Sequence, residues 1–135
     1  PGEHLSTFGG NPISCAAAIA NIEVMLEEDL PGQSARKGAR TMGNLRELAA
    51  DYPLIGEVRG EGLMIGVELV TDRKTKEPAK SQAAAIRTFC REQGLLVGVG
   101  GQQANVVRFQ PPLTISDNDL DRAVEILDAA LKSVG

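Results

Sequence analysis

One histidine and two cysteines are the whole supply of imidazole and thiol in 135 residues. His4 stands alone near the start of the chain, so neither a metal cluster nor a hydrolase triad can be assembled around it. Ser6 and Ser14 lack a base for the same reason. Cys15 and Cys90 lie far apart, each in a helical context, and make neither a zinc site nor a disulfide framework. They are expected as buried or half-buried thiols of a reducing cytosol. No apolar run approaches the length that crosses a bilayer. Basic clusters are scarce too: Arg36-Lys37 and Arg73-Lys74 read as solvated helix and turn positions. With a net charge of −4, the chain has no footprint for nucleic acid. Residues 1–4 form no basic-then-apolar leader, so a cytoplasmic location is expected. A motif begins almost at once after Pro1-Gly2, and the chain reads as the tail of a longer polypeptide. The length is that of one ordinary domain with a real core.

What is present is a run of well-punctuated elements. Asn11-Pro12 starts a helix with a capping side chain followed by proline at the first helical position. Residues 13–28 carry two apolar stripes, one on Ile13, Ala17, Ala20 and Val24, the other on Cys15, Ile19, Ile22 and Leu26. Such a helix is buried on more than one side, which predicts that it lies between this domain and another body. Pro31 opens a second helix to about Ala50, its inward period carried by Ala35, Ala39, Met42, Leu45 and Leu48. Pro53 forces its end. Residues 55–70 read as two extended pieces broken at Arg59-Gly60-Glu61-Gly62. In the second piece Leu63, Ile65, Val67 and Leu69 make one wholly apolar face. Residues 72–78 are a charged turn. A helix over 80–93 follows, on Ala83, Ile86, Phe89 and Cys90, and Gly94 stops it. Residues 95–99 and 105–110 are strands joined by a short loop and therefore antiparallel. Ser116 caps a last helix with Asp119 three residues on, and Leu120, Val124, Leu127 and Leu131 face inward. The fold class is α+β, a three- or four-stranded, mostly antiparallel sheet with helices over one face.

Two places can carry chemistry. In Ser6-Thr7-Phe8-Gly9-Gly10-Asn11-Pro12, glycines let the backbone approach an anion, the helix start offers N–H groups, and Thr7 adds a hydroxyl. The same pattern also serves as a plain tight turn. Arg108, between Val107 and Phe109 on a strand, is either a rim arginine at a sheet edge or a two-pronged grip on a carboxylate. Around Arg59-Gly60-Glu61-Gly62 the glycines mark a bulge or close packing, with Arg59 and Glu61 solvated.

Four blocks in order, HLSTFGGNPISCAAAIA, IGEVRGEGLMIGVELV, GLLVGVGG and NVVRFQPPLTIS, resemble the C-terminal part of class III aminotransferases, pyridoxal 5'-phosphate enzymes of the aspartate-aminotransferase fold type (fold type I). The resemblance covers essentially the whole chain. It implies that Thr7 binds the cofactor phosphate of the neighbouring subunit of a homodimer and that Arg108 binds the substrate carboxylate. It implies that residues 1–30 are the end of the cofactor domain and the inter-domain helix, and 31–135 the small C-terminal domain. It also implies that the Schiff-base lysine, the aspartate beneath the pyridine ring and the stacking aromatic lie upstream, so this segment holds no catalytic residue and is inactive by itself. The implied substrates are an amino acid and a 2-oxo acid. The region from Gly98 to Leu113 is most similar to the alanine–glyoxylate and 4-aminobutyrate members. Racemases and aminomutases share the family and stay open as alternatives, as does a non-enzymatic ligand-binding or dimerisation module.

Overall fold

The computed structural model describes residues 6–135; His4 lies outside them. Four helices and five strands run in the order α1 (Pro12–Glu27), α2 (Leu30–Asp51), β1 (Ile55–Glu61), β2 (Met64–Asp72), β3 (Glu77–Pro78), α3 (Lys80–Glu92), β4 (Gly98–Gly100), β5 (Val106–Phe109) and α4 (Asp117–Val134). The sheet is antiparallel throughout, ordered β1-β2-β5-β4, with the two-residue β3 pairing the far end of β2. The expected α+β layer is present, with β3 as an addition that the reading of 72–78 as a turn did not include. Among the described residues no helix is long and apolar enough to cross a membrane.

Helices α2, α3 and α4 cover one face of the sheet. Alternation along the strands sends Ile65, Val67 and Leu69 from β2, Val58 from β1, and Val107 and Phe109 from β5 into the core beneath them. There they meet Leu45, Ala83, Ile86, Cys90, Leu127 and Leu131. Burial of this kind contributes on the order of 1.5–3 kcal/mol per large aliphatic side chain. The opposite face carries Glu57, Arg59, Met64, Gly66, Glu68 and Arg108, and no helix of the described residues lies over it.

Several local details depart from expectation for physical reasons. The chain stays extended through Arg59-Gly60-Glu61 and turns only at Gly62-Leu63, after the last pair Glu61 with Met64. Gly62 has φ +52°, the left-handed first position that a two-residue hairpin of type II′ requires. Helix α2 crosses this tip so closely that a Cβ on Gly38 would lie 2.0 Å from the Gly62 carbonyl oxygen. That approach sets the roll of α2. Leu30, Gly38, Thr41 and Leu45 point inward, while Ala35 and Ala39, expected inward, are exposed. On α4, Leu120, Leu127 and Leu131 are buried with Ala123 and Ala130, and Val124 sits on the flank. Strand β4 is shorter and later than the expected 95–99. The Leu95 N–H donates to the Cys90 carbonyl and Gly94 takes φ +82°, so the chain is still closing α3 in a Schellman-type cap. Cys90 is buried as expected, whereas Cys15 is exposed on α1.

The basic clusters also do more than face solvent. Arg73 donates to the carbonyls of Ala49, Tyr52, Pro53 and Ile55, closing the C-terminal end of α2 where carbonyls lack helical partners. Lys37 spans from α2 to the Ile115 carbonyl at 2.7 Å.

Helix α1 stands apart. Among the elements it touches only α2. None of its residues is buried, and Ile13 and Leu26 are 84% and 72% exposed. Both apolar stripes that the sequence places on it therefore face outward. It joins α2 through Asp29, which adopts φ +49° and caps α2 by accepting from the Gly32 N–H.

Candidate functional site

Arg108 is placed by β5, which is hydrogen-bonded on both sides. Register sets Gly66 of β2 opposite it on one side and Gly98 of β4 opposite it on the other. Arg59 of β1 stands opposite Gly66 in turn. The row Arg59, Gly66, Arg108, Gly98 therefore crosses the open face, with two arginines separated by a glycine. A cavity of about 310 Å³ lies above this row, lined by Arg59, Gly60, Met64, Gly66, Arg108 and Gln110 among others.

The two arginines differ in their partners. Arg59 Nη1 donates to Glu68 at 2.5 Å and to Glu57 at 2.7 Å. The Glu68 hydrogen bond, aided by the charges of both carboxylates, raises its already high pKa. Its charge is thus matched within the sheet, where solvation alone was expected. Arg108 has no hydrogen bond and no ion pair among the described residues, and its side chain is exposed on the open face. An arginine fork left free on a flat surface is ready for a planar anion, above all a carboxylate. The Glu57 and Glu68 partners, and the glycines around Arg108, are what sequence reading missed. The glycine spacing at 98 and 100 was a usable signal, but residues 100–103 read as a plain loop.

Thr7 leads into α1, exposed, in an irregular stretch. Asn11 fixes the turn behind it: the Phe8 carbonyl accepts from the Asn11 backbone N–H at 3.3 Å and from Nδ2 at 3.0 Å. Gly10 takes φ +77°, the left-handed third position of a tight turn that favours glycine. The supply of helix donors is narrower than expected from the sequence. Pro12 has no N–H, the Ser14 N–H donates to Asn11 Oδ1 and the Cys15 N–H to the Asn11 carbonyl. The Gly9, Gly10 and Ile13 N–H groups have no acceptor among the described residues, so they and the Thr7 hydroxyl are donors open to an anion. The structure does not bring Thr7 and Arg108 together, because α1 makes no contact with the sheet.

The family model described as Aminotransferase class-III matches residues 1–131. A probable 4-aminobutyrate aminotransferase of Bacillus subtilis is 38% identical over 133 residues, 98% of this chain and 30% of that protein. An alanine–glyoxylate aminotransferase 2 homologue of Arabidopsis thaliana is 40% identical over 131 residues, 97% of this chain and 28% of that protein. A leucine/methionine racemase of Thermococcus litoralis is 44% identical over 131 residues, covering 97% and 29%. Among solved structures, a Bacillus anthracis aminotransferase superposes with a TM-score of 0.89 at 37% identity, covering 97% of this chain and 30% of that one. A PLP-bound amine transaminase from an uncultivated Pseudomonas species gives 0.88 at 38% identity, covering 98% and 30%. The chain thus spans about 30% of the length of the curated relatives it matches. Matched along almost its whole length by that model and superposing on such enzymes, the chain belongs to the class III aminotransferase family.

Proposed function

We propose that the full-length protein is a pyridoxal-phosphate-dependent aminotransferase moving an amino group between an amino acid and a 2-oxo acid. The observation that carries this reading is Arg108, a guanidinium without a partner among the described residues, on the open sheet face of a family member. It grips the substrate carboxylate in a two-pronged pair and so orients the amine for reaction. Arg59, already held by Glu57 and Glu68, contributes little net charge to the same face. Thr7 and the Gly9 and Gly10 N–H groups suit a phosphate, a donor set of one hydroxyl and backbone amides without competing acceptors. In this reading they hold the cofactor phosphate of the neighbouring subunit in a homodimer. The cofactor, when bound, supplies the electron sink for the chemistry at the substrate's amine-bearing carbon. The catalytic lysine lies outside this segment, which is inactive by itself. Exposure of both stripes of α1 supports a division in which residues 1–30 belong with the cofactor domain and 31–135 form the small domain.

The named relatives favour 4-aminobutyrate or alanine as amino donor. A second reading, racemisation, draws support from the 44% identity to the leucine/methionine racemase. One experiment separates them: the visible spectrum of the full-length enzyme on addition of alanine, then of 4-aminobutyrate, with no acceptor present. Transamination predicts loss of the cofactor's visible band with one donor and a stoichiometric amount of oxo product. Retention of the band with loss of the optical rotation of L-alanine would replace transaminase by racemase.

A further inference from the structure

We propose that Gly98 and Gly100 are positioning residues, forming a trough along β4 that holds the Arg108 guanidinium at the height and angle from which it meets a substrate carboxylate. The proposal rests on the carboxylate-binding reading of Arg108 given above. Glycine in a strand interior weakens it and marks a place where something approaches closely. Neither residue needs to be glycine for its own backbone, since positive φ in this region occurs at Gly101 and Ala104 and not at 98 or 100. What fills the space is the arginine. A Cβ on Gly98 would lie 3.2 Å from Arg108 Nη2 and 3.3 Å from Nε, and one on Gly100 would lie 3.1 Å from Nε and 3.2 Å from Cζ. At both positions the three nearest heavy atoms beyond the local chain all belong to Arg108.

The other flank is different. A Cβ on Gly66 would meet Val106 at 3.1 Å and not the arginine. The side chain therefore leans onto β4, away from Arg59 and its two carboxylates. That lean keeps Arg108 from being captured by Glu68, which already serves Arg59 on the same face. It also lays the fork along the strand, so that one edge is turned to whatever enters above the sheet. A methyl at either site can be absorbed by a shift of a few tenths of an ångström, but a branched side chain must lift the guanidinium off the strand. Valine suits a strand backbone, so the substitution tests position with little penalty to folding.

The test is a double-mutant cycle in the full-length enzyme, using whichever of alanine and 4-aminobutyrate it turns over. Gly98→Val is expected to lower kcat/KM by about ten- to a hundredfold, mostly through KM, the scale of a misplaced substrate grip. In an Arg108→Ala background the same change is expected to cost nothing further, because the residue it acts through is gone. A crystal structure of Gly98→Val should show the guanidinium lifted from β4. Equal losses in both backgrounds, no loss in either, or an undisplaced guanidinium would overturn the trough. Should Gly98→Val not fold, Gly100→Val carries the same cycle. If Arg108→Ala alone leaves KM unchanged, the carboxylate-binding reading itself fails and the trough has no function to serve.

Discussion

Arg73 shows how much one exposed side chain can do when its surroundings are carbonyls. Its guanidinium reaches Ala49, Tyr52, Pro53 and Ile55, so it both ends α2 and fixes the entry to β1. Removing it leaves helix-end acceptors to water and frees the corner. Arg73→Ala is expected to destabilise the fold by about 1–2 kcal/mol, measured by equilibrium urea unfolding. Arg73→Lys should recover only part of this, since an ammonium lacks the planar fork; full recovery by lysine would reduce the role to charge alone. Arg59 and Arg108 look alike in the sequence, each in a strand and each facing the same side. Register sets Glu68 of β2 diagonally from both; what separates them is that Arg59 takes Glu68 together with Glu57 of its own strand, whereas the Arg108 side chain lies over β4. Which carboxylates reach which arginine is a tertiary property, so the sequence singles out Arg108 only through the family resemblance.

At the scale of elements, the C-terminal end of α2 is tied to α4 by a small polar cluster. The Tyr52 hydroxyl donates to Asp128 at 2.6 Å, and Lys132 donates to the same carboxylate. Lys132 first, then Tyr52, holds Asp128 below the usual carboxylate range. The Asp128 hydrogen bond in turn raises both Tyr52 and Lys132. A depressed carboxylate stabilises above its unfolded pKa and is lost as pH falls through the folded one. The raised phenol and ammonium stabilise below their unfolded pKa values and are lost as pH rises through the folded ones. The tie is therefore fully present between the ordinary carboxylate and phenol ranges. The stability difference between the native chain and Asp128→Asn should be largest near about pH 7 and shrink toward about pH 3. A difference independent of pH in urea titrations would remove the charge from the explanation. The elements themselves were legible wherever punctuation was local: Asn11-Pro12, Pro31, Gly94 and Ser116 each mark a real boundary. The roll of α2 was not legible, because it depends on Gly38 meeting Gly62 across the fold. The late start of β4 was hidden by apolar residues 95–97, which read as strand while the backbone still closes α3.

Taken as a whole, the molecule is a finished small layer carrying one unfinished helix. The layer has a shared core and paired polar groups, and no buried side-chain polar atom lacks a partner among the described residues. Helix α1 has an apolar surface on both sides and, with Phe8 80% exposed just before it, forms a patch of the kind that drives association. Produced alone, the chain should self-associate through α1. Placing Asp at Ile19 and Ile22 together should return it to monomer, as read by analytical ultracentrifugation; a dimer that survives both changes would locate the contact elsewhere. Hydrogen exchange in that monomer should be faster in α1 than in α2, which has a core to protect it.

The shortness of β4 has a consequence for how such material would come out of solution. One edge of the sheet is a three-residue strand with glycine at both ends, and the other, β1, carries Glu57, Arg59 and Glu61. Neither offers the long, flat, uncharged rim on which a further strand templates. Clumps of this chain should therefore keep a helical circular-dichroism spectrum and fail to bind thioflavin, because stickiness and strand edges lie on different parts of the surface.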